Sequence, residues 1–210
     1  MIKFEKIDVM NFNNAIRGMR NPLNSWGKSD SGFNWEIGKY VLGPSDLALA
    51  KRLVKAGSDH RKFLRQIIVS VDITAPLYWW KEFDTYKVGT VANSCSTMHK
   101  IQAKQFERAD FSCERMSDDA LAVLDAVIDC LEKNRLAFIE TKDKSYWHNM
   151  IQLLPTSYNQ MRTITLSYEN LLNQYPSRKG HKLQEWRDYC AKIETLPYFK
   201  VMCLDGDNDE

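Results

Sequence analysis

No stretch of this 210-residue chain stays apolar for the roughly 20 residues that a bilayer span requires, because Asp72 and Lys81 interrupt the best run. Nor does either sign of charge dominate. The 29 basic and 27 acidic residues leave a formal net charge of +2, so no global field draws the chain to nucleic acid or to an anionic membrane. Any anion must be bound locally. The five cysteines, Cys95, Cys113, Cys130, Cys190 and Cys203, are odd in number and widely spaced, with no Cys-x-x-Cys pair and no histidine cluster at metal-ligand spacing. Reduced thiols and no metal are expected, with Cys130 and Cys190 as core residues because they sit among apolar neighbours at helical spacing. A glycine-rich phosphate loop, an internal repeat and a Ser-His-Asp order are also missing. The charged segment after Met1 is unlike a secretory signal, so the expected location is the cytoplasm.

What is present is enough apolar residue, 44% of the chain, for one substantial core. One domain is expected over residues 1–204, followed by a disordered acidic tail over residues 205–210. Ile2–Phe12 alternates as a strand. Asn11–Ser31 reads as a long polar connection, in which Arg17 and Arg20 flank Gly18 and either reach a phosphate or lie solvated on the surface. Ser45 is expected to cap a helix ending near Ala56, and Ile67–Ile73 alternates as a second strand. Thr74 and Pro76 form a helix-start signal ahead of Leu77, Tyr78, Trp79, Trp80 and Phe83. Ser117 caps a further helix with Asp118 and Asp119 in its first turn. Met161–Tyr168 reads as a strand and Glu169–Tyr175 as a short helix. A last helix carries a buried stripe of Leu183, Trp186, Cys190 and Ile193.

The segment after the twin tryptophans is small, polar and nearly free of carboxylates: Lys87, Gly89, Thr90, Asn93, Ser94, Cys95, Ser96, Thr97 and His99. It offers donors and a close-approach glycine, which suits an anionic, planar ligand. Its frame, and the order of elements around it, resembles the flavin-dependent thymidylate synthases, the ThyX family. The family motif reads Arg-His-Arg, two residues, Ser, one residue, Asn-Glu, one residue, Ser, one residue, Arg. Laid on from Ala75-Pro76 it falls on Thr85-Tyr86-Lys87, Thr90, Ala92-Asn93, Cys95 and Thr97. Further on, Leu153-Leu154-Pro155 resembles the family's Leu-Pro step. Thr165, Ser167 and Glu169 stand where the family has Thr, Asn and Arg, and Arg178 matches an arginine that holds the nucleotide.

The resemblance implies an α+β fold, an antiparallel sheet flanked by helices, assembled as a homotetramer with shared active sites. It implies a methyl or one-carbon transfer to dUMP through FAD, with NADPH and methylenetetrahydrofolate as the further reactants. Substrate contacts would come from Glu82, Thr85, Asn93, Cys95, Ser96, Thr97 and Arg178. Cofactor contacts would come from His60, Tyr86, Lys87, Thr90 and Ser167. No catalytic residue is assigned, although a Cys95 thiolate beside Lys87 is a conceivable nucleophile. Three readings stay open: a divergent ThyX-type enzyme, a non-catalytic nucleotide-binding protein with a repurposed pocket, and a structural oligomer. Trp79 and Trp80 suit either an oligomer interface or the monomer core.

Overall fold

The computed structural model describes residues 2–205. In chain order, β1 (Lys3–Met10) leads through α1 (Phe12–Met19) to β2 (Gly32–Asn34) and β3 (Lys39–Val41), then to α2 (Pro44–Lys55) and β4 (Ile68–Pro76). Next come α3 (Leu77–Phe83), β5 (Val91–Ser94), the long α4 (Asp118–Thr141) and α5 (Lys144–Leu153). The last elements are β6 (Asn159–Ser167), α6 (Tyr168–Arg178), α7 (Gln184–Glu194) and α8 (Phe199–Cys203). Four strands form an antiparallel sheet in the order β1-β4-β6-β5, flanked by helices, so the α+β class holds. β2 and β3 make a separate antiparallel hairpin that pairs Gly32 with Val41.

Strand β4 forms because its apolar residues alternate. Val69, Val71, Ile73 and Ala75 are buried while Ile68, Ser70, Asp72 and Thr74 are half-buried, the period-two pattern of a sheet face. Its register against β6 is fixed at both ends. Tyr168 N–H donates to Ile67 O at 3.0 Å, and Leu77 N–H donates to Tyr158 O at 3.0 Å. Thr74 is therefore a strand residue rather than a helix cap. The alternation carries through Ala75, and α3 begins only after Pro76.

The chain divides into two compact units. One comprises the residues up to Glu5, Asp72–Thr85 and Ala92–Thr163. Its core gathers Phe106, Phe111, Leu124, Ile128, Leu131 and Met150, with Trp147 and Tyr158 packed around them. Ser117 caps α4 as expected, its Oγ accepting from Ala120 N–H at 3.4 Å, with Asp118 and Asp119 favourably placed at the positive helix end. On α3, Trp79 and Trp80 are fully buried and meet edge-to-face at 4.8 Å, and Phe83 stacks on Trp79 at 5.0 Å. The twin tryptophans are core residues of this unit, which replaces the interface reading. Cys130 is exposed on α4 and not in the core, whereas Cys190 is buried as expected.

The other unit comprises Lys6–Val71, Tyr86–Val91 and the residues from Ile164 onward. Where a polar connection was expected, α1 forms instead. Phe12, Ala15, Ile16 and Met19 recur at helical spacing and are buried; the asparagines and Gly18 between them lie on the polar face and hide that period. Helix α2 starts at Pro44 with Gly43 as its cap, so Ser45 is not the capping residue. The orphan N–H groups go to a remote carboxylate: Asp30 accepts from Ser45 N–H at 2.8 Å and from Asp46 N–H at 3.0 Å. Glycine is required at 43, because a Cβ there would lie 2.3 Å from the Asp30 side chain and 2.4 Å from its backbone oxygen. Of the expected acidic tail, Asp205 donates its N–H to Lys200 O at 3.0 Å, and residues 206–210 lie outside the described residues.

Candidate functional site

The polar stretch begins with a tight loop, Tyr86–Thr90, in the second unit. Thr90 N–H reaches back to Lys87 O at 3.3 Å, and Gly89 takes φ +72, a conformation that favours glycine. A Cβ at Gly89 would also lie 3.1–3.2 Å from the Asn170 amide. That amide is what holds the loop, because Asn170 Nδ2 donates to Val88 O at 2.7 Å.

Asn170 belongs to the first turn of α6, where Ser167 is the cap. Asn170 N–H donates to Ser167 Oγ at 3.3 Å, and Ser167 N–H donates to Asn170 Oδ1 at 3.0 Å, a reciprocal capping box. The Ser167 hydroxyl donates to the same Oδ1 at 2.7 Å. Ser167, a cofactor candidate in the sequence, thus has structural work to do as a helix cap, and one asparagine joins that cap to the loop. The loop leaves one polar atom unsatisfied: Thr90 Oγ1 is buried without a hydrogen-bond partner. Lys87 and Val88 are exposed, Val88 by 89%.

At the far end of α6, Arg178 Nε donates to Tyr86 Oη at 2.7 Å. Its guanidinium carbon lies 4.3 Å from the ring centre of the fully buried Trp186 and 5.3 Å from that of Tyr86. The two rings meet edge-to-face at 6.2 Å. Trp186 stands on α7, where its neighbour Glu185 is also buried. A hydrogen bond and two aromatic faces therefore bear on the plane of this guanidinium.

The third group of candidates lies at the start of α6. His60 is exposed in the turn after α2, its N–H donating to Gly57 O at 3.0 Å. Its neighbour Arg61 faces Glu169, with Nε 3.0 Å from Oε2 and donating to Oε1 at 3.2 Å, and it donates from Nη2 to Asn173 Oδ1 at 2.9 Å. Glu169 occupies the position where the resemblance expects an arginine, and Arg61 supplies the cation from another part of the chain.

The remaining candidates belong to the first unit, each placed by its own contacts. Glu82 is half-buried on α3, and Thr85 Oγ1 closes that helix by donating to Glu82 O at 2.7 Å. Asn93 is exposed on β5, a strand that the sequence did not announce. Cys95 is exposed, with its N–H on Met161 O at 2.9 Å and its carbonyl accepting from Gln160 Nε2 at 2.6 Å. Ser96 Oγ accepts from His99 N–H at 2.9 Å, and Thr97 is half-buried in the same turn. Arg162 was missed by sequence reasoning. It lies 4.3 Å over the Trp80 ring, donates to Gln160 Oε1 at 2.9 Å and pairs with Asp84 at 2.7 Å, so it braces the glutamine that holds Cys95. No local motif marks it; in the sequence it is one polar residue in an alternating strand.

No protein-family model and no curated protein matches the sequence. Solved structures do match its fold. Two structures of thymidylate synthase X (ThyX) from Helicobacter pylori with FAD and dUMP superpose with TM-scores of 0.69 and 0.68 at 16% identity, covering 97% of this chain and 96% and 97% of theirs. A UMP/dUMP methylase, PolB, from Streptomyces cacaoi bound with 5-Br dUMP gives a TM-score of 0.63 at 13% identity, covering 98% of this chain and 96% of that one. The chain has the ThyX fold over nearly its whole length.

Proposed function

We propose that this chain acts on a pyrimidine deoxynucleotide of the dUMP type, which it binds with Arg178 and the Tyr86–Thr90 loop. The observation that carries the reading is the oriented Arg178 guanidinium, hydrogen-bonded to Tyr86 and stacked on Trp186, in a fold shared with two kinds of protein solved with dUMP or its bromo derivative. An arginine guanidinium pairs readily with a phosphate. Methyl or one-carbon transfer is the reaction class that this likeness supports.

Flavin needs a separate test of fit. The motif positions carry Thr85, Tyr86, Lys87 and Thr97 where the family has Arg, His, Arg and Arg. Tyr86 is already engaged by Arg178, and Lys87 is an exposed point charge that does not replace a bidentate fork. Such a donor set suits a monophosphate better than the pyrophosphate of a dinucleotide. Flavin-dependent catalysis is the second reading, favoured by the FAD-bound ThyX structures of the same fold. NADPH, methylenetetrahydrofolate and the homotetramer belong to that reading.

Calorimetric titration with dUMP tests the first proposal. The wild-type protein should bind, and Arg178→Ala should lose about tenfold or more in affinity, the effect of removing a charge-assisted hydrogen bond. Equal dissociation constants for the two proteins would remove Arg178 from the site. An absorbance spectrum of the purified protein, with mass analysis of whatever co-purifies, decides between the two readings: a flavin band selects the second.

A further inference from the structure

Between α1 and the turn that carries Trp26, the second unit holds a cavity of about 460 Å³ lined by Asn13, Arg17, Arg20, Trp26 and Ser29, within the roughly 300–1,000 Å³ of small-molecule sites. None of these residues belongs to the Tyr86–Arg178 cluster. The lining carries two guanidiniums and no carboxylate. Arg20, only 3% exposed, donates from Nε to Asp46 Oδ1 at 2.5 Å and from Nη2 to Ser45 Oγ at 2.9 Å. Behind it, Asp46 Oδ2 accepts from Ser29 Oγ at 2.8 Å and from the N–H groups of Asp30 and Ser31 at 3.1 and 3.0 Å. This buried pair is closed on itself and contributes rigidity rather than net charge.

Arg17 is different. It is exposed on α1 and holds a long hydrogen bond, Nη2 to Asn14 Oδ1 at 3.3 Å, so the cavity has a cation at its lip. Trp26 is 50% exposed, and its indole N–H is fixed on Asn21 Oδ1 at 2.8 Å. A large ring is thus held in place by a specific hydrogen bond while half of its surface remains in water, where apolar area gains nothing. An immobilised, half-solvated indole beside an arginine with little to hold is the pairing that takes a flat ring bearing a negative group.

We propose that this cavity binds a planar heteroaromatic anion, with its ring stacked on Trp26 and its phosphate or carboxylate on Arg17. The site is independent of nucleotide binding at Arg178. AMP serves as the probe because its purine offers a large stacking face, with adenosine and inorganic phosphate as the two halves of the recognition. Calorimetry on the full chain should show AMP bound equally by the wild type and by Arg178→Ala. Adenosine and phosphate should each bind at least about tenfold more weakly, and Arg17→Ala and Trp26→Leu should each weaken AMP by about tenfold. Both side chains are exposed, so unchanged melting temperatures would show that the variants fold.

Four results would overturn the proposal. They are no AMP binding by the wild type at millimolar concentration, affinity unchanged in both Arg17→Ala and Trp26→Leu, phosphate binding as tightly as AMP, and loss of AMP binding in Arg178→Ala. The last would assign the ligand to the other site.

Discussion

At the scale of single residues, one glycine and one tyrosine set geometry that the proposed sites depend on. Gly43 lets α2 approach Asp30, and a methyl group there would meet a backbone oxygen at 2.4 Å, which cannot swing away as a side-chain tip can. Gly43→Ala should cost about 1–3 kcal/mol, the usual range for overpacking, read as a lower urea midpoint at unchanged slope. Tyr86 accepts from Arg178 Nε, so Tyr86→Phe keeps the ring and removes the acceptor. It should weaken dUMP severalfold, less than Arg178→Ala, because one net hydrogen bond is worth about 0.5–1.5 kcal/mol; an unchanged dissociation constant would show that the tyrosine does not orient the arginine. Neither role was legible in the sequence. Tyr86 read only as a motif position, and nothing local singles out Gly43, because their partners lie 92 and 13 positions away.

At the scale of elements, the start of α6 does two jobs that substitutions can separate. Ser167 and Asn170 form the capping box, but only Asn170 reaches Val88 O in the loop. Ser167→Ala and Asn170→Ala should each destabilise the protein by about 1 kcal/mol, as cap losses do, whereas only Asn170→Ala should also weaken dUMP. Equal effects on binding would mean that the loop does not need its tie. Helices with strong local signals were readable in advance, α4 from Ser117 and its two aspartates above all. The first helix was not, since its apolar period is interleaved with asparagines and a glycine that favour loops. Four-residue β5 is held by its neighbours and has no apolar alternation of its own, with all four of its residues exposed.

At the scale of the whole molecule, stability in acid should report on the Arg20–Asp46 pair. Burial pushes the Asp46 carboxyl up, but hydrogen bonds from Ser31, Ser29 and Arg20 and from the Asp30 backbone outweigh it, and its pKa falls below the ordinary value. A depressed carboxyl stabilises the fold fully above its unfolded pKa of about 3.9, and that stability is lost as pH falls through the lower folded value. Asp46→Ala, which strands a buried arginine, should cost about 3–5 kcal/mol at neutral pH and flatten the decline below pH 4 in urea titrations; a decline as steep as in the wild type would place the acid sensitivity elsewhere. Thiol reactivity is a second global readout. Burial pushes Cys190 up to about 11 and Cys203 to about 12, while Cys95 and Cys130 are exposed. A disulfide reagent at mildly alkaline pH should therefore label Cys95 and Cys130 first and Cys190 and Cys203 slowly. Rapid labelling of Cys190 would contradict its burial.

Local pattern was enough to determine the strands β1, β4 and β6, the helix behind Ser117, the burial of Trp186, Cys190 and Ile193 on α7 and the polar character of the loop after the twin tryptophans, whereas Leu183, expected in that stripe, stands half-buried just ahead of α7. Alternation, caps and helical periods are written within a dozen neighbouring residues, so they can be read without the fold. Tertiary structure alone decided that Arg61 meets Glu169 across 108 positions, that Asp30 caps a helix it does not belong to, and that Tyr86 and Trp186 set the plane of Arg178. Those pairings depend on which distant side chains the packed core leaves facing one another, and no spacing along the chain encodes that.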